Sequence, residues 1–372
     1  MTQEKYKHRE NFKYQLIIKK MLNMLLMYSP EKEIIYRDKV RLTYRDLYER
    51  INRLANGLND LGVVQGDTVA VFEYDSHRYL ECFFAIPMMG AILQPMNYKL
   101  LPDQIVFTLN HVKAKVIMVN SELLPMIEGI KSKLKPVQKI ILISEDGKTH
   151  EGSCSVDTEY EDMLKNAASV YDFPDFDENT KATTFYTKGT IGLPKRVHFT
   201  HRQLVVYTFA VMTMLGAFYN FDRFTSGNDV YMPLTPMFHV HAWGLPYLAT
   251  LLGTKQVYPG KYESEMILKL IIKEGVTFSH CDPMIIKMLV ANPVIGSVDL
   301  SKWKVMIGDA GFPKELAEAA MKLKIDICTG HGMSETYPLM SVVLLKEHMM
   351  NWEEDRQTGD RCSDSGLGRN GG

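Results

Sequence analysis

TVAVFEYDSHRYLECFFAIPMMGAILQPMN, residues 68–97, holds the pattern from which the rest of the chain can be read. Thr68–Tyr74 is a short apolar run of strand length, and Ala91–Asn97 is a second. Between them, Ser76 offers a hydroxyl that can cap a helix running through Phe83 and Phe84. Short buried strands separated by helices predict a mostly parallel sheet covered on both faces.

The same alternation continues on either side. Upstream, Thr43 and Asp46 form a capping-box pattern, and Leu47, Ile51, Leu54 and Leu58 recur at helical spacing before Gly62. Downstream, Pro102 suits the first turn of a helix that ends near His111, and Lys115–Asn120 and Lys139–Glu145 are further strands. A polar stretch at Glu145–Glu159 places a subdomain break near 145–180. The second half then repeats the pattern. A helix at Ser264–Glu274 stops at Gly275, and a strand at Val276–His280 leads to the cap Asp282 with Pro283 behind it. A strand at Lys304–Gly308, a helix opened by Pro313 and a strand at Ile325–Thr329 complete it. The fold class predicted is α/β, as two doubly wound subdomains within residues 1–350. Residues 351–372 hold too little apolar surface to offset their ordering entropy, so a disordered tail is expected.

Composition narrows the partners. The chain is 46% hydrophobic and 23% charged, as in soluble globular proteins, and its net charge of -1 gives no electrostatic case for nucleic acid or an anionic membrane. Its five cysteines are scattered, with no CxxC pair, which argues against a disulfide framework or a zinc site and for a reducing, cytoplasmic setting. No apolar run reaches the ~18 residues of a membrane-spanning helix. Leu16–Tyr28 carries Lys19 and Lys20 and is followed by no small-residue cleavage site, unlike a signal peptide. Neither nucleic acid nor stable membrane insertion is expected, and a homodimer is left open.

Three segments carry chemistry. The first is Tyr186–Val197, YTKGTIGLPKRV, with Thr187, Gly189, Thr190, Gly192 and Lys195. Glycines allow close backbone approach, N–H groups and hydroxyls donate, and lysine supplies charge, as a phosphate loop needs. The spacing is not that of a Walker A loop, and an ordinary polar hairpin fits the composition equally well. The second is Pro236–Gly244, PMFHVHAWG, in which His239, His241 and Trp243 cluster. It suits a pocket wall for an apolar ligand or a core segment with satisfied histidines, whereas zinc lacks a third ligand nearby. The third is Thr329–Thr336, TGHGMSET, directly after a strand, where open α/β sheets place ligands. Glu335 there suits magnesium, which takes few protein carboxylates beside phosphate oxygens; a surface turn explains the segment as well.

In this order the three segments resemble the motifs of AMP-forming acyl-CoA synthetases of the adenylate-forming superfamily: [YF]-T-[ST]-G-T-T-G-x-P-K-G, then P-M-F-H-V-x-A-W, then Y-G-x-T-E. The similarity runs from about Leu42 to Ser341. It implies attack of a carboxylate on the α-phosphate of Mg-ATP, giving acyl-AMP and pyrophosphate, followed by displacement of AMP by the coenzyme A thiolate. Catalysis would be chiefly positioning and neutralisation of phosphate charge. By motif match, Thr187 and Glu335 would hold Mg2+, and Gly189, Thr190, Gly192 and Lys195 would form the triphosphate loop. Ser334 would contact the α-phosphate, with Gly330, His331 and Gly332 against the adenylate. His239 and Trp243 would line the acyl site beside Gly330, and a tryptophan there resembles a gate of the fatty-acid branch, which favours a medium or long fatty acid.

Departures from the pattern fall at the chemistry. Lys188 replaces Ser or Thr, Ile191 replaces the second loop threonine, and Arg196 replaces a glycine. His331 stands where the resemblance implies a tyrosine stacked on adenine, and Asp309 replaces a glycine beside the nucleotide. Each lost hydroxyl–phosphate bond would cost roughly 1.5–3 kcal/mol. The family's small C-terminal domain, with its catalytic lysine, has no counterpart here, and Thr358-Gly359-Asp360 matches its ribose-binding T-G-D only by coincidence. Acyl activation is therefore expected to be weak or incomplete in this chain. The rival expectation is a non-catalytic binder of ATP or an acyl chain, or a decayed fragment.

Overall fold

The computed structural model describes residues 14–145, 156–187, 194–216, 228–337 and 339–343. Gly189, Thr190 and Gly192 of the phosphate-loop segment, Lys188 and Ile191 beside them, and the tail 351–372 lie outside the described residues. Two sheets organise the rest. The first runs, edge to edge, Thr158–Glu159, Lys139–Ile143, Ala114–Asn120, Thr68–Phe72, Ile92–Pro95, Lys181–Thr187 and Lys195–Thr200. Every neighbouring pair is parallel except the last, which is an antiparallel hairpin. The second runs Leu339–Val343, Asp326–Gly332, Lys304–Ile307, Phe278–Cys281, Val230–Leu234, Lys255–Tyr258, Glu33–Tyr36 and Val40–Thr43. It is parallel throughout its middle and antiparallel at both edges.

Membership of the sheets does not follow chain order. The hairpin Glu33–Thr43 joins the second sheet, and the hairpin Lys181–Thr200 joins the first. Helices cover both faces of each sheet. On one side of the first sheet, Ile105 and Leu109 of the helix Pro102–His111 pack on Ala70, Phe72, Ile117 and Val119. On the other, the amphipathic helix Tyr44–Asp60 buries Leu47, Ile51, Leu54 and Leu58 against Val69, Val71 and Met118. The outer face of the second sheet is closed by Ser264–Glu274, Pro283–Val290 and Lys314–Lys322.

Local caps follow the sequence. Thr43 accepts from Asp46 N while Asp46 reaches back to Thr43 N, Ser76 accepts from Tyr79 N, and Asp282 accepts from the amides of Met284 and Ile285. Gly275 ends its helix at φ +69°, a left-handed value that costs glycine no Cβ clash. Two boundaries differ from expectation. The strand expected at Val276–His280 is Phe278–Cys281, and the last parallel strand runs from Asp326 through Gly330 and His331 to Gly332. Antiparallel pairing with Leu339–Val343 holds that extension in the sheet, with a bulge between His331 and Gly332. Among the described residues, Cys82, Cys281 and Cys328 are buried free thiols, and no helix is long and apolar enough to cross a membrane.

Candidate functional site

The three chemical segments converge where the sheets meet. Thr187 and Lys195 face each other as the closing pair of the hairpin Lys181–Thr200, so residues 188–194 connect them. Lys195 is exposed and Thr187 half-buried. Thr187, His239 and Ser334 border one cavity of about 180 Å³, together with Tyr186, Phe238, Val240, Asn97 and Thr108. Tyr186 Oη lies 2.9 Å from His111 Nδ1, and burial pushes its phenol up to about 12. Glu335 is exposed in the turn Ser334–Thr336 and does not border this cavity.

The middle segment has an unusual backbone. Val240, His241, Ala242, Trp243 and Gly244 all have φ between +45° and +71°, a left-handed turn that costs roughly 1–2 kcal/mol per non-glycine residue. Such strain persists only where the surroundings over-determine it, and here the turn sends neighbouring side chains in different directions. His239, just before it, is partly exposed at the cavity. His241 points into the core, where Nε2 lies 2.8 Å from the Thr183 hydroxyl and burial pushes the imidazole down to about 3. His239 and His241 therefore point to different places, one to the cavity and one into the core. Among the described residues no group of three or more His, Cys, Asp or Glu is placed to hold a metal.

Trp243 is buried on the second sheet, its ring centroid 4.9 Å from that of His280. His280 is itself held by Tyr231 Oη at 2.7 Å and Thr235 Oγ1 at 3.1 Å. The indole lies directly over Gly308, where a Cβ would sit 2.6 Å from Trp243 Cη2. Gly330 is less tightly confined, since its Cβ would meet the tip of a side chain, Leu339 Cδ1, at 2.9 Å. Trp243, Gly330, His331 and Gly332 surround a second, much smaller cavity of about 20 Å³ with Asp309 and Leu339. Seven of the residues singled out from sequence thus fall into two groups, while Lys195 and Glu335 border neither cavity. Thr187, His239 and Ser334 share the larger cavity; Trp243, Gly330, His331 and Gly332 share the smaller one.

Asp309 joins the two. It has φ +68°, a backbone state that suits glycine, and its Oδ1 lies 3.2 Å from His239 Nε2. Asp309 therefore holds a backbone state that suits glycine while its carboxylate contacts the histidine of the larger cavity.

Sequence reasoning missed Asn97 and Thr108. Thr108 is buried, with its hydroxyl bonded to Ile105 O, and no local pattern separates it from an ordinary core threonine. Asn97 had a signal, because it ends the strand-like run Ala91–Asn97, and strand ends are where such sheets bind ligands. Tyr337 was also missed. It is buried at φ +58° against Tyr207 and Phe199 and anchors the turn that carries Ser334.

Known proteins resemble this chain in sequence and in fold. A family model described as AMP-binding enzyme matches residues 27–362. The chain is 34% identical over 333 residues to the long-chain-fatty-acid–CoA ligase of Thermus thermophilus, covering 88% of this chain and 59% of that protein. It is 27% identical over 356 residues to the medium-chain-fatty-acid–CoA ligase of Ectopseudomonas oleovorans, covering 94% and 64%. The chain thus spans about three fifths of the length of these curated relatives. A crystal structure of the anthranilate CoA ligase AuaEII with anthranoyl-AMP superimposes with a TM-score of 0.79 at 22% identity, over 89% of this chain and 62% of that one. The inhibitor-bound N-terminal domain of FACL13 from Mycobacterium tuberculosis gives 0.75 at 22% identity, over 89% and 79%. At such identities the solved structures speak to the fold, and the sequence matches carry kinship. On that ground the chain belongs to the AMP-binding enzyme family.

Proposed function

We propose that the chain is the large domain, residues 1–350, of an enzyme that activates a fatty acid carboxylate with ATP, forming acyl-AMP and then acyl-CoA. The supporting observation is the larger cavity, which gathers Thr187, His239 and Ser334 from three segments far apart in sequence. The names of the relatives, long- and medium-chain fatty-acid–CoA ligases, point to the same substrate class. In this reading Lys195, with Gly189, Thr190 and Gly192, takes the β- and γ-phosphates, and Ser334 donates to the α-phosphate. His239 borders the carboxylate, Gly330, His331 and Gly332 lie beside the adenylate, and Trp243 limits the acyl chain.

Mg2+ fits the donor set only as a shared ion. One hydroxyl (Thr187) and one carboxylate (Glu335) suit a hard cation that takes its remaining ligands from ATP phosphates and water. When bound, it neutralises phosphate charge. Coenzyme A is the acceptor by kinship alone. Calorimetric titration with Mg-ATP tests the assignment: Lys195→Ala and Glu335→Gln should each weaken binding by about tenfold or more, the scale of a charged hydrogen bond. Unchanged binding in both variants would overturn it.

A second reading, a non-catalytic binder of ATP or an acyl chain, draws on one observation. Asp309 puts a carboxylate on His239 where an incoming carboxylate or phosphate would meet it. Ligand binding with no AMP formed, even with a relative's C-terminal domain supplied in trans, would favour this reading.

A further inference from the structure

Asp75 ends the run that follows the central strand Thr68–Phe72 and is almost fully buried. Three bonds leave it, all toward the other half of the molecule. Its backbone carbonyl accepts from Gly260 N at 2.9 Å, Oδ1 accepts from Met237 N at 2.8 Å, and Oδ2 accepts from Tyr262 Oη at 2.6 Å. Met237 belongs to the tight turn Pro236–His239, closed by the bond from His239 N to Pro236 O at 2.8 Å. Its neighbour Phe238 packs edge-on against Tyr98 at 5.0 Å, and Phe238 and His239 together border the larger cavity.

From this geometry we propose that Asp75 is a positioning residue for the acid pocket: its buried carboxylate fixes the Pro236–His239 turn, and with it the directions of Phe238 and His239. The functional part of this rests on the larger cavity being the acid site. A buried carboxylate is costly to hold without partners, and here both oxygens are used, one on a backbone amide and one on a phenol. The Met237 amide lies outside any strand or helix, so Asp75 replaces the ladder bond that would otherwise hold it. The strained left-handed turn begins at Val240, three residues beyond Met237, so a fixed Met237 also sets where that strain begins. Asparagine at 75 keeps an acceptor for Met237 N and presents an amide to Tyr262; alanine leaves both groups buried and unsatisfied.

Amide hydrogen exchange resolved by mass spectrometry tests the role in the parent chain, Asp75→Asn and Asp75→Ala. In the parent, the Met237 amide should be among the slowest exchangers of segment 234–243. In Asp75→Ala that segment should exchange about tenfold faster, with distant segments little changed and Asp75→Asn close to the parent. The same three proteins are then titrated with dodecanoate and Mg-ATP. Asp75→Ala should weaken dodecanoate about tenfold and Mg-ATP less than about threefold, and Asp75→Asn should restore both. Three exchange results would overturn the proposal: a Met237 amide in the parent as fast as exposed loops, no local effect of alanine, or a uniform rise that asparagine does not reverse. The first uses the parent alone and holds even if Asp75→Ala fails to fold. A parent that binds no dodecanoate would remove the acid-site reading while leaving exchange to decide whether Asp75 holds the turn.

Discussion

Asp309 Oδ1 stands 3.2 Å from His239 Nε2, linking the edges of the two cavities. Both side chains are more than a third exposed, so the pair adds little stability; its weight lies in where it directs the imidazole.

That backbone carries a first prediction. Asp309 occupies the left-handed region, where glycine is unstrained and a β-branched residue is badly placed. Asp309→Gly should stay within about 1 kcal/mol of the parent, whereas Asp309→Val should lose about 1–3 kcal/mol. Urea unfolding measures both. Glycine as the more damaging change would contradict the left-handed assignment.

Gly308 carries a second. A Cβ there would lie 2.6 Å from Trp243 Cη2 and 3.0 Å from Gly330 O, so Gly308→Ala forces the indole or the neighbouring strand to move. The expected loss is about 1–3 kcal/mol. It should shrink when Trp243 is first changed to Ala, because the closest contact is then gone, and a double-mutant cycle reads that coupling directly. An equal loss in both backgrounds would show that the indole is not what confines Gly308.

The pH dependence of stability gives a third. Burial raises the Asp75 carboxyl from its ordinary 3.8 to about 7, against the lowering effects of Tyr262, the Met237 amide and Lys99. A carboxyl with a raised folded-state value binds its proton more tightly when folded, so its contribution to stability falls as pH climbs from about 4 to 7 and levels off above. Other groups titrate over the same range, including buried His201, His241 and His280, each pushed down to about 3. The difference between Asp75→Asn and the parent cancels them. That difference should move in favour of asparagine by a few kcal/mol, about 4 at most, between pH 4 and pH 8. A flat difference would mean that Asp75 titrates normally.

Much of the scaffold was legible because it is written locally. Thr43 with Asp46, Ser76, Asp282 with Pro283, and Gly275 each specify a helix end through atoms a few residues apart. What stayed hidden depends on distant partners. Nothing within Glu33–Thr43 says that it pairs with Lys255–Tyr258, and nothing in TGHG says that Leu339–Val343 will extend it as strand. The motif residues His239 and Trp243 were found, but their separation into two cavities was not. It follows from the left-handed turn 240–244, and positive φ at Val240 and Ala242 runs against every local preference of those residues. Asp309 was seen as a departure beside the nucleotide; only the fold shows that it reaches His239.

AMP release from Mg-ATP on addition of a C12–C16 fatty acid, followed in a sample already shown to bind the nucleotide, tests acid activation most directly. Binding should be followed by AMP that accumulates only with the acid present, slowly in this chain, and not in Lys195→Ala. Nucleotide binding with no acid-dependent AMP, or no binding at all, would contradict it.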